Sequence, residues 1–193
     1  MFDSMGSILE ALSPEQQIAC STQNNILLTA CPGSGKTRTL THRLAYQVLR
    51  DPASKKIKIA ITYTNRAAEE ITNRLEGMNI DQSSIWAGTI HQFCMHFIIR
   101  PYAMYSKRLC KGYRIIDDYS KKAYGREIAE RLGMHLNYYD DPFQYENVRT
   151  EYKRVLKEKK EIDFDAILLI SEELLASCAF IGSNIASVIS SIL

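Results

Sequence analysis

An α/β fold with a parallel sheet is the class that this sequence predicts, and two observations carry the prediction. Three short apolar runs with strand character occur within about ninety residues, and each is followed by apolar residues at helical spacing. The composition, 46% apolar and 24% charged over 193 residues, excludes a disordered chain or a collagen-like repeat. The length suits one domain of ordinary size with its own core.

The first strand–helix unit is preceded by a short helix. Ser13 is its predicted cap, Pro14 takes the first helical position, and Gln16 completes a capping box. The apolar run at 26–28 is too short for a buried helix and predicts a strand that is buried on both faces. Leucine and valine at positions 40, 44 and 48 then predict a helix that ends at Asp51-Pro52.

Two further units follow with the same pattern. Residues 57–63 alternate as a strand, and the stripe at 67, 71 and 75 predicts a helix that ends at Gly77. Residues 84–87 predict a third strand, and the apolar face of 90–98 predicts a helix that runs to Arg100-Pro101. A long apolar helix is predicted from Phe164.

The charge is distributed unevenly and suggests three segments. The whole chain carries a net charge of +2, but residues 101–160 hold fourteen bases, nine acids and nine of the eleven tyrosines. Residues 161–193 hold five acids and no base. We therefore expect a first domain over 1–100, a helical basic insertion over 101–160, and a return to the first domain over 161–193. Basic residues interleaved with aromatic ones are typical of nucleic-acid surfaces, although a helical subdomain with a solvated charged rim has the same composition.

The five cysteines and the N-terminus place the chain in a reducing compartment. No Cys-x-x-Cys spacing is present, so reduced thiols in a cytoplasm are expected rather than disulfides or a zinc site. Acids at Asp3 and Glu10 do not fit a signal peptide. Residues 174–193 carry no charge and are long enough to span a bilayer, but five serines make them a poor span, so no membrane contact is expected.

The segment after the first predicted strand has the composition of a phosphate-binding loop. It reads Ala30-Cys31-Pro32-Gly33-Ser34-Gly35-Lys36-Thr37 and opens the next helix, with Ala30 where the strict pattern has glycine. The glycines allow successive N–H groups to point at one phosphate, and the helix N-terminus adds its positive end. Lys36 can neutralise the outer phosphates and Thr37 can ligate Mg²⁺. The sequence therefore predicts binding of a nucleoside triphosphate with Mg²⁺.

Kinases, transporters, GTPases and motors share such a loop, so other segments must separate them. Four accompany it, namely Leu12-Ser13-Pro14-Glu15-Gln16-Gln17-Ile18-Ala19, Ile61-Thr62-Tyr63-Thr64-Asn65-Arg66-Ala67-Ala68, Gly88-Thr89-Ile90-His91-Gln92-Phe93-Cys94 and, more weakly, Ile162-Asp163-Phe164-Asp165-Ala166-Ile167-Leu168. With the loop from Ala30 to Arg38, they resemble the Q motif, motifs I, Ia and Ib, and the Asp-Phe-Asp segment of the UvrD/Rep/PcrA family of superfamily 1 DNA helicases. The resemblance implies a RecA-like P-loop NTPase domain whose parallel sheet is incomplete and which carries a helical basic insertion.

The resemblance also implies roles for individual residues. Gln16 would bind the adenine edge of ATP, although the capping box is an alternative role for it, and Arg38 would lie near the nucleotide. Tyr63 would stack on a base of single-stranded DNA, with a core tyrosine as the alternative. Contacts to the DNA backbone would come from Thr64, Asn65, Thr89 and His91.

The same resemblance implies that the chain by itself is catalytically incomplete. In the family, the carboxylates for Mg²⁺ and the attacking water lie in an apolar strand that ends in Asp-Glu, and this sequence stops at Ser190-Ser191-Ile192-Leu193, where that strand would begin. Asp117 and Asp118, like Asp163 and Asp165, are expected to start helices instead.

Several functions therefore remain open. The first is the ATP-binding N-terminal portion of a 3′-to-5′ DNA helicase that binds single-stranded DNA. The second is a non-catalytic nucleotide- or DNA-binding module, or one half of a split helicase whose second chain supplies the remaining motifs. The third is an unrelated P-loop kinase, which would need an acceptor site and a lid of arginines that the sequence does not display.

Overall fold

The computed structural model describes residues 3–193, with side chains described from residue 6 onward. The chain divides into two compact units. The first unit comprises the chain up to Ile90 together with Ser183–Leu193, and the second unit comprises His91–Gly182. The helix over 90–99, which composition assigned to the first segment, is grouped almost entirely with the second unit.

The first unit contains helices on a three-stranded sheet. Its elements are α1 (Asp3–Glu10), α2 (Pro14–Ser21), α3 (Lys36–Arg50), β1 (Ile57–Thr62), α4 (Asn65–Gly77), β2 (Ile85–Thr89) and β5 (Ile189–Ile192). The strand order is β2-β1-β5 and both pairings are parallel. The α/β class with a parallel sheet is thus present, and β1 lies in its centre because both of its edges are paired.

The predicted strand at 26–28 is wrong. The segment has no strand conformation, and Leu27 is 90% exposed while Ile26 and Leu28 are each 42% exposed. A strand needs a neighbour for its backbone N–H and C=O groups, and β2 and β5 already pair both edges of β1. No strand among residues 3–193 pairs with the 26–28 segment, so its apolar composition alone does not make it a strand.

The core of the first unit lies between the sheet and the helices α3 and α4. Leu44 and Ala45 of α3, Ala60 of β1, and Ile71 and Leu75 of α4 are buried together. Burying a leucine or isoleucine side chain contributes about 1.5–3 kcal/mol, so this cluster fixes α3 against the sheet. The start of α3, which follows the glycine loop, is thereby held in a defined position.

The second unit is mostly helical. Its elements are α5 (Ile90–Phe93), a π-helical segment (Cys94–Ile99), α6 (Arg100–Tyr102), a 3₁₀ turn (Ala103–Tyr105), β3 (Arg114–Ile115), α7 (Asp118–Arg131), a 3₁₀ turn (Pro142–Gln144), α8 (Glu146–Lys159), β4 (Glu161–Ile162), α9 (Phe164–Ser177) and α10 (Ala179–Val188), whose end leads into the first unit. The single long helix predicted from Phe164 is therefore two helices, which meet at Cys178. No described helix is long and apolar enough to cross a membrane.

A compact core holds the second unit together. Ile128 and Ala129 of α7 pack with Val148, Tyr152 and Leu156 of α8. The aspartates that precede α7 and α9 cap these helices, as predicted, since Asp117 accepts a hydrogen bond from the Ser120 N–H and Asp163 from the Ala166 N–H. Within residues 3–193 there is no cluster of metal-ligating side chains, and all five cysteines are free thiols.

Candidate nucleotide site

The glycine loop has the backbone conformation that a phosphate cradle needs. Gly33 and Gly35 have φ angles of 79° and 87°, in the left-handed region that residues with a side chain rarely adopt. Gly35 is the N-cap of α3, and no side chain caps this helix. The free N–H groups of the first turn therefore have no side-chain acceptor, and with the positive end of the helix dipole they favour an anion.

Lys36 is folded into the loop. Its Nζ donates to the carbonyl oxygens of Ala30 and Cys31, at 2.8 Å each. The Ser34 hydroxyl also donates to the Cys31 carbonyl, at 2.7 Å. An ammonium has three donors, so one N–H of Lys36 remains for an anion at the loop.

Gln16 forms the predicted capping box and also reaches the loop. Its Oε1 accepts from the Ser13 N–H at 3.1 Å, and its own N–H donates to the Ser13 hydroxyl at 3.4 Å. Its Nε2 donates to the Ser34 carbonyl at 3.1 Å. A β-carbon on Gly35 would lie 3.2 Å from this nitrogen, so a side chain there would push the Gln16 amide out of its present position. Gln16 thus joins α2 to the loop, and its amide keeps one N–H and one lone pair for a base edge.

Two more residues of α3 were expected near the nucleotide. The Arg38 guanidinium donates to the Ala11 carbonyl at 2.7 Å, which ties the start of α3 to the turn between α1 and α2. Thr37 lies in the first turn of α3, where its side chain is half-buried beside Lys36. Gln16 and Arg38 therefore bring the end of α1, the start of α2 and the loop together around one helix N-terminus.

Three buried polar side chains on α3 were missed by the sequence reasoning. The Thr39 hydroxyl donates to the Gly35 carbonyl at 3.1 Å, the Thr41 hydroxyl to Thr37 at 2.8 Å, and His42 Nδ1 to Arg38 at 2.8 Å. Each bond returns to a carbonyl four residues earlier, so these buried polar groups are satisfied within the helix itself. The sequence did contain a signal for these contacts, namely polar residues on the apolar face of the predicted helix.

The predicted DNA-contacting residues of the first unit lie at one edge of the sheet. Thr62 and Thr89 are direct partners in the parallel pairing of β1 and β2, so the carboxyl ends of the two strands lie side by side. Tyr63 follows β1 and is 97% exposed, which excludes the core-tyrosine alternative. In open α/β sheets, ligands bind outside the carboxyl ends of the strands.

The polar residues around Tyr63 have local structural roles as well. Thr64 caps α4 by accepting from the Ala67 N–H at 3.2 Å, and Asn65 is the first, exposed residue of that helix. Thr89 ends β2 and is half-buried. His91 belongs to the second unit, where its ring meets Phe164 edge-on with 5.8 Å between the ring centroids.

The carboxylates weighed as catalytic groups are used within the second unit. Asp163 accepts from the Tyr152 hydroxyl at 3.0 Å in addition to capping α9, and Asp165 forms an ion pair with Lys121. The hydrogen bond from the Ser120 N–H lowers the pKa of Asp117. Helix capping and ion pairing therefore account for these acids.

Comparisons with known proteins agree with this arrangement. Residues 12–142, more than half of the chain, match the UvrD/REP helicase N-terminal domain family. The chain is 39% identical over 98 residues to the ATP-dependent DNA helicase PcrA of Staphylococcus aureus (strain Mu50) and 40% identical over 95 residues to that of Bacillus subtilis (strain 168). The PcrA of Staphylococcus epidermidis is 37% identical over 98 residues.

The alignments cover about half of this chain, 50%, 48% and 50% respectively, and 13% of each relative. The chain thus spans only a small part of the length of these helicases. The matched residues nevertheless include Gln16, the glycine loop, the carboxyl edge of β1 and β2, and the helix α7. The chain belongs to the UvrD/REP helicase N-terminal domain family.

Proposed function

We propose that this chain is the ATP-binding N-terminal portion of a UvrD-like, ATP-dependent 3′-to-5′ DNA helicase that binds single-stranded DNA. The observation that carries the proposal is the loop with left-handed Gly33 and Gly35 at the start of α3, into which the Lys36 ammonium is folded. The family assignment and the names of the relatives support ATP and DNA as the ligands.

The residues of the loop fit a nucleotide with Mg²⁺. Lys36 would hold the outer phosphates, the N–H groups from Gly33 to Thr37 would surround them, and Thr37 would supply a hydroxyl to the metal. Gln16 would recognise the adenine edge with the N–H and lone pair that its structural contacts leave, and Arg38 would lie beside the nucleotide. When bound, Mg²⁺ neutralises charge that develops on the phosphates.

A binding experiment with a fluorescent ATP analogue tests this site. We expect Lys36→Met to weaken Mg²⁺-dependent binding by at least about tenfold, because one charge-assisted bond to phosphate is worth about 1.5–3 kcal/mol. Lys55→Met, at an exposed position outside the loop, is the matched control and should bind like the unmodified chain. Equal affinity in the Lys36 and Lys55 variants would refute the nucleotide site.

For DNA, the proposal assigns the exposed ring of Tyr63 to stacking on a base. Thr64, Asn65 and Thr89, at the same sheet edge, would contact the phosphodiester backbone. The resemblance to the family adds His91 as a further residue for backbone contact. Short polar side chains at strand–helix junctions suit this role because they offer donors close to the main chain.

A non-catalytic module, or one half of a split helicase completed by a second chain, is the second candidate. It is favoured by the roles of Asp117, Asp163 and Asp165, which cap helices or pair with Lys121. Measuring the release of inorganic phosphate from ATP distinguishes the two candidate functions. ATP turnover that single-stranded DNA stimulates in the 193-residue chain would exclude the module, whereas binding without turnover would favour it.

A further inference from the structure

A buried arginine near the middle of α3 binds the carboxyl end of α2. Arg43 is only 7% exposed. Its Nη1 donates to the carbonyl of Ala19 and, at 2.8 Å, to that of Thr22. Ala19 lies in the last turn of α2, and Thr22 is the C-cap of this helix. Removing a guanidinium from water is costly, so this position uses the donors and charge of arginine rather than its bulk.

The contact suits both partners. The last carbonyls of a helix have no partner within the helix, and the negative end of the helix dipole lies there. Both bonds of Arg43 come from one nitrogen, whose two N–H groups are fixed in the plane of the guanidinium. The buried thiol of Cys20 adds a second bond in the same direction, to the Thr39 carbonyl of α3 at 3.3 Å. The end of α2 is thereby fixed against α3.

Fixing the end of α2 also fixes its beginning. The helix has eight residues and is therefore only about 12 Å long, so it moves as one rigid piece. Ala19, which Arg43 holds, is three residues from Gln16, about one turn away. A rotation of α2 at its carboxyl end would therefore displace the Gln16 amide at the glycine loop.

The Gln16 amide is held in one of its two orientations. Its Oε1 accepts from the Ser13 N–H and its Nε2 donates to the Ser34 carbonyl, both at 3.1 Å. Turning the amide over would bring two donors together at Ser13 and two acceptors together at Ser34. The N–H and the lone pair that remain free therefore have fixed places. Adenine presents one acceptor and one donor along its N7 edge, whereas guanine presents two acceptors there, so a fixed amide can separate the two bases.

We propose that Arg43 is a positioning residue for base selection, which holds α2 so that the Gln16 amide prefers an adenine to a guanine nucleotide. Arg43 itself does not contact the nucleotide. This inference rests on the proposed nucleotide site and adds a residue outside the glycine loop that sets the selectivity of the site. If Arg43 were only a structural anchor, its loss would weaken the binding of every nucleotide to the same degree.

Fluorescent analogues of ATP and GTP, labelled on the ribose and bound with Mg²⁺ to the full chain, test the inference. The unmodified chain should bind the ATP analogue at least about fivefold more tightly, as expected for one bidentate contact to a base edge. Arg43→Met keeps an unbranched apolar stem but removes the donors, so this preference should fall below about twofold. No preference in the unmodified chain, or a full preference in Arg43→Met, would overturn the proposal.

Two further variants support the comparison. Arg50→Met removes an exposed arginine from the last turn of the same helix and is the matched control, which should keep the full preference. Arg43→Lys keeps the charge but not the rigid plane of donors, so its preference should be at least about twofold lower than that of the unmodified chain. If Arg43→Met does not fold, Arg43→Lys decides alone, and an unchanged preference would refute the positioning role.

A double-mutant cycle shows whether Arg43 acts through Gln16. Gln16→Ala should itself abolish the preference for the ATP analogue. In the Gln16→Ala background, Arg43→Met should leave the ratio of the two affinities unchanged, because no oriented amide remains to be disturbed. A further change of that ratio would mean that Arg43 acts on the base by another route and would contradict the proposal.

Inorganic triphosphate with Mg²⁺ separates this inference from the nucleotide site itself, since it has no base. It should compete with the ATP analogue equally well in the unmodified chain and in Arg43→Met, and less well in Lys36→Met. Equal weakening of ATP, GTP and triphosphate in Arg43→Met would overturn the inference but leave the nucleotide site in place. Binding that is insensitive to Lys36→Met would instead refute the site.

Discussion

The ammonium of Lys36 lies in its own loop, and its hydrogen bonds there determine how many of its donors are left for a nucleotide. Its two bonds to the carbonyls of Ala30 and Cys31 join a charged donor to neutral acceptors. A phosphate oxygen is a charged acceptor and forms the shorter, stronger bond. The third N–H of the ammonium can bind such an oxygen while the two bonds to the loop are kept.

The thiol of Cys31 reports on occupation of this loop. Cys31 is exposed, whereas Cys20 is buried and has a raised pKa. We expect iodoacetamide to modify Cys31 in the folded chain, and ATP with Mg²⁺ to slow that modification at least about threefold, because the phosphates would cover the loop. Cys20 should stay unmodified throughout. Mass spectrometry of tryptic peptides measures both rates.

Cys110 is the control for this experiment, since it is also exposed but lies in the second unit. Its rate of modification should not change with nucleotide. If ATP protected Cys110 and Cys31 to the same degree, the effect would not come from the loop.

Tyr63 allows a test of DNA binding with little risk to the fold. Its side chain is 97% exposed, so its truncation removes almost no packing. Stacking on a base contributes about 1–3 kcal/mol, so Tyr63→Ala should weaken binding of an oligothymidylate by about tenfold. Tyr63→Phe keeps the ring and should bind like the unmodified chain. Fluorescence anisotropy measures the three affinities, and equal loss in both variants would exclude stacking.

At the scale of the elements, local signals were predictable and long-range pairing was not. The helix starts at Ser13, Asp117 and Asp163 are present as expected. They could be predicted because each cap bond joins residues only three positions apart and so depends on local sequence. The strand at 26–28 was wrong because a strand depends on a neighbour that is distant in the sequence.

The same distinction applies to the nucleotide site. Pattern alone identified the loop and its glycines. The contacts that hold the loop, from Gln16 to Ser34 and from Arg38 to Ala11, join residues 18 and 27 positions apart. Such contacts follow from packing of α2 against α3, which no local motif encodes.

The start of α9 offers a stability test. Asp163 is 7% exposed and accepts bonds from the Ala166 N–H and the Tyr152 hydroxyl, whereas Asp165 lies on the surface. Asp163→Ala should lower the free energy of unfolding by about 1–3 kcal/mol, because it removes the cap and leaves a buried hydroxyl unpaired. Asp165→Ala should cost less than about 1 kcal/mol. Urea denaturation, followed by circular dichroism, measures both, and equal costs would contradict the assigned roles.

At the scale of the whole molecule, charge is concentrated in residues 101–160. Ion pairs neutralise some of the basic side chains, as between Arg114 and Glu161 or between Arg131 and Glu151. Residues 101–160 nevertheless hold fourteen bases and nine acids, which leaves an excess of positive charge. Positive charge near a polyanion releases counterions on binding, so affinity falls as salt rises.

We therefore expect the affinity for single-stranded DNA to depend on salt. A plot of the logarithm of the association constant against that of the salt concentration should have a slope of about −2 or steeper, corresponding to about three or more neutralised phosphates. Replacing Lys153 and Lys157, on exposed turns of α8, by glutamine should make the slope shallower without abolishing binding. A flat plot for the unmodified chain would remove the basic segment as a DNA surface.

The pairing of β1 with β5 also dictates an order of assembly. The Ser190 hydroxyl binds the Ile57 carbonyl across 133 positions of sequence, and the whole second unit lies between them. Closing such a loop costs entropy that grows with the logarithm of its length. Since the second unit is continuous, it can collapse first and bring its two ends together. A ribosome that synthesises this chain therefore completes the inserted unit before the sheet that surrounds it in sequence can acquire its third strand.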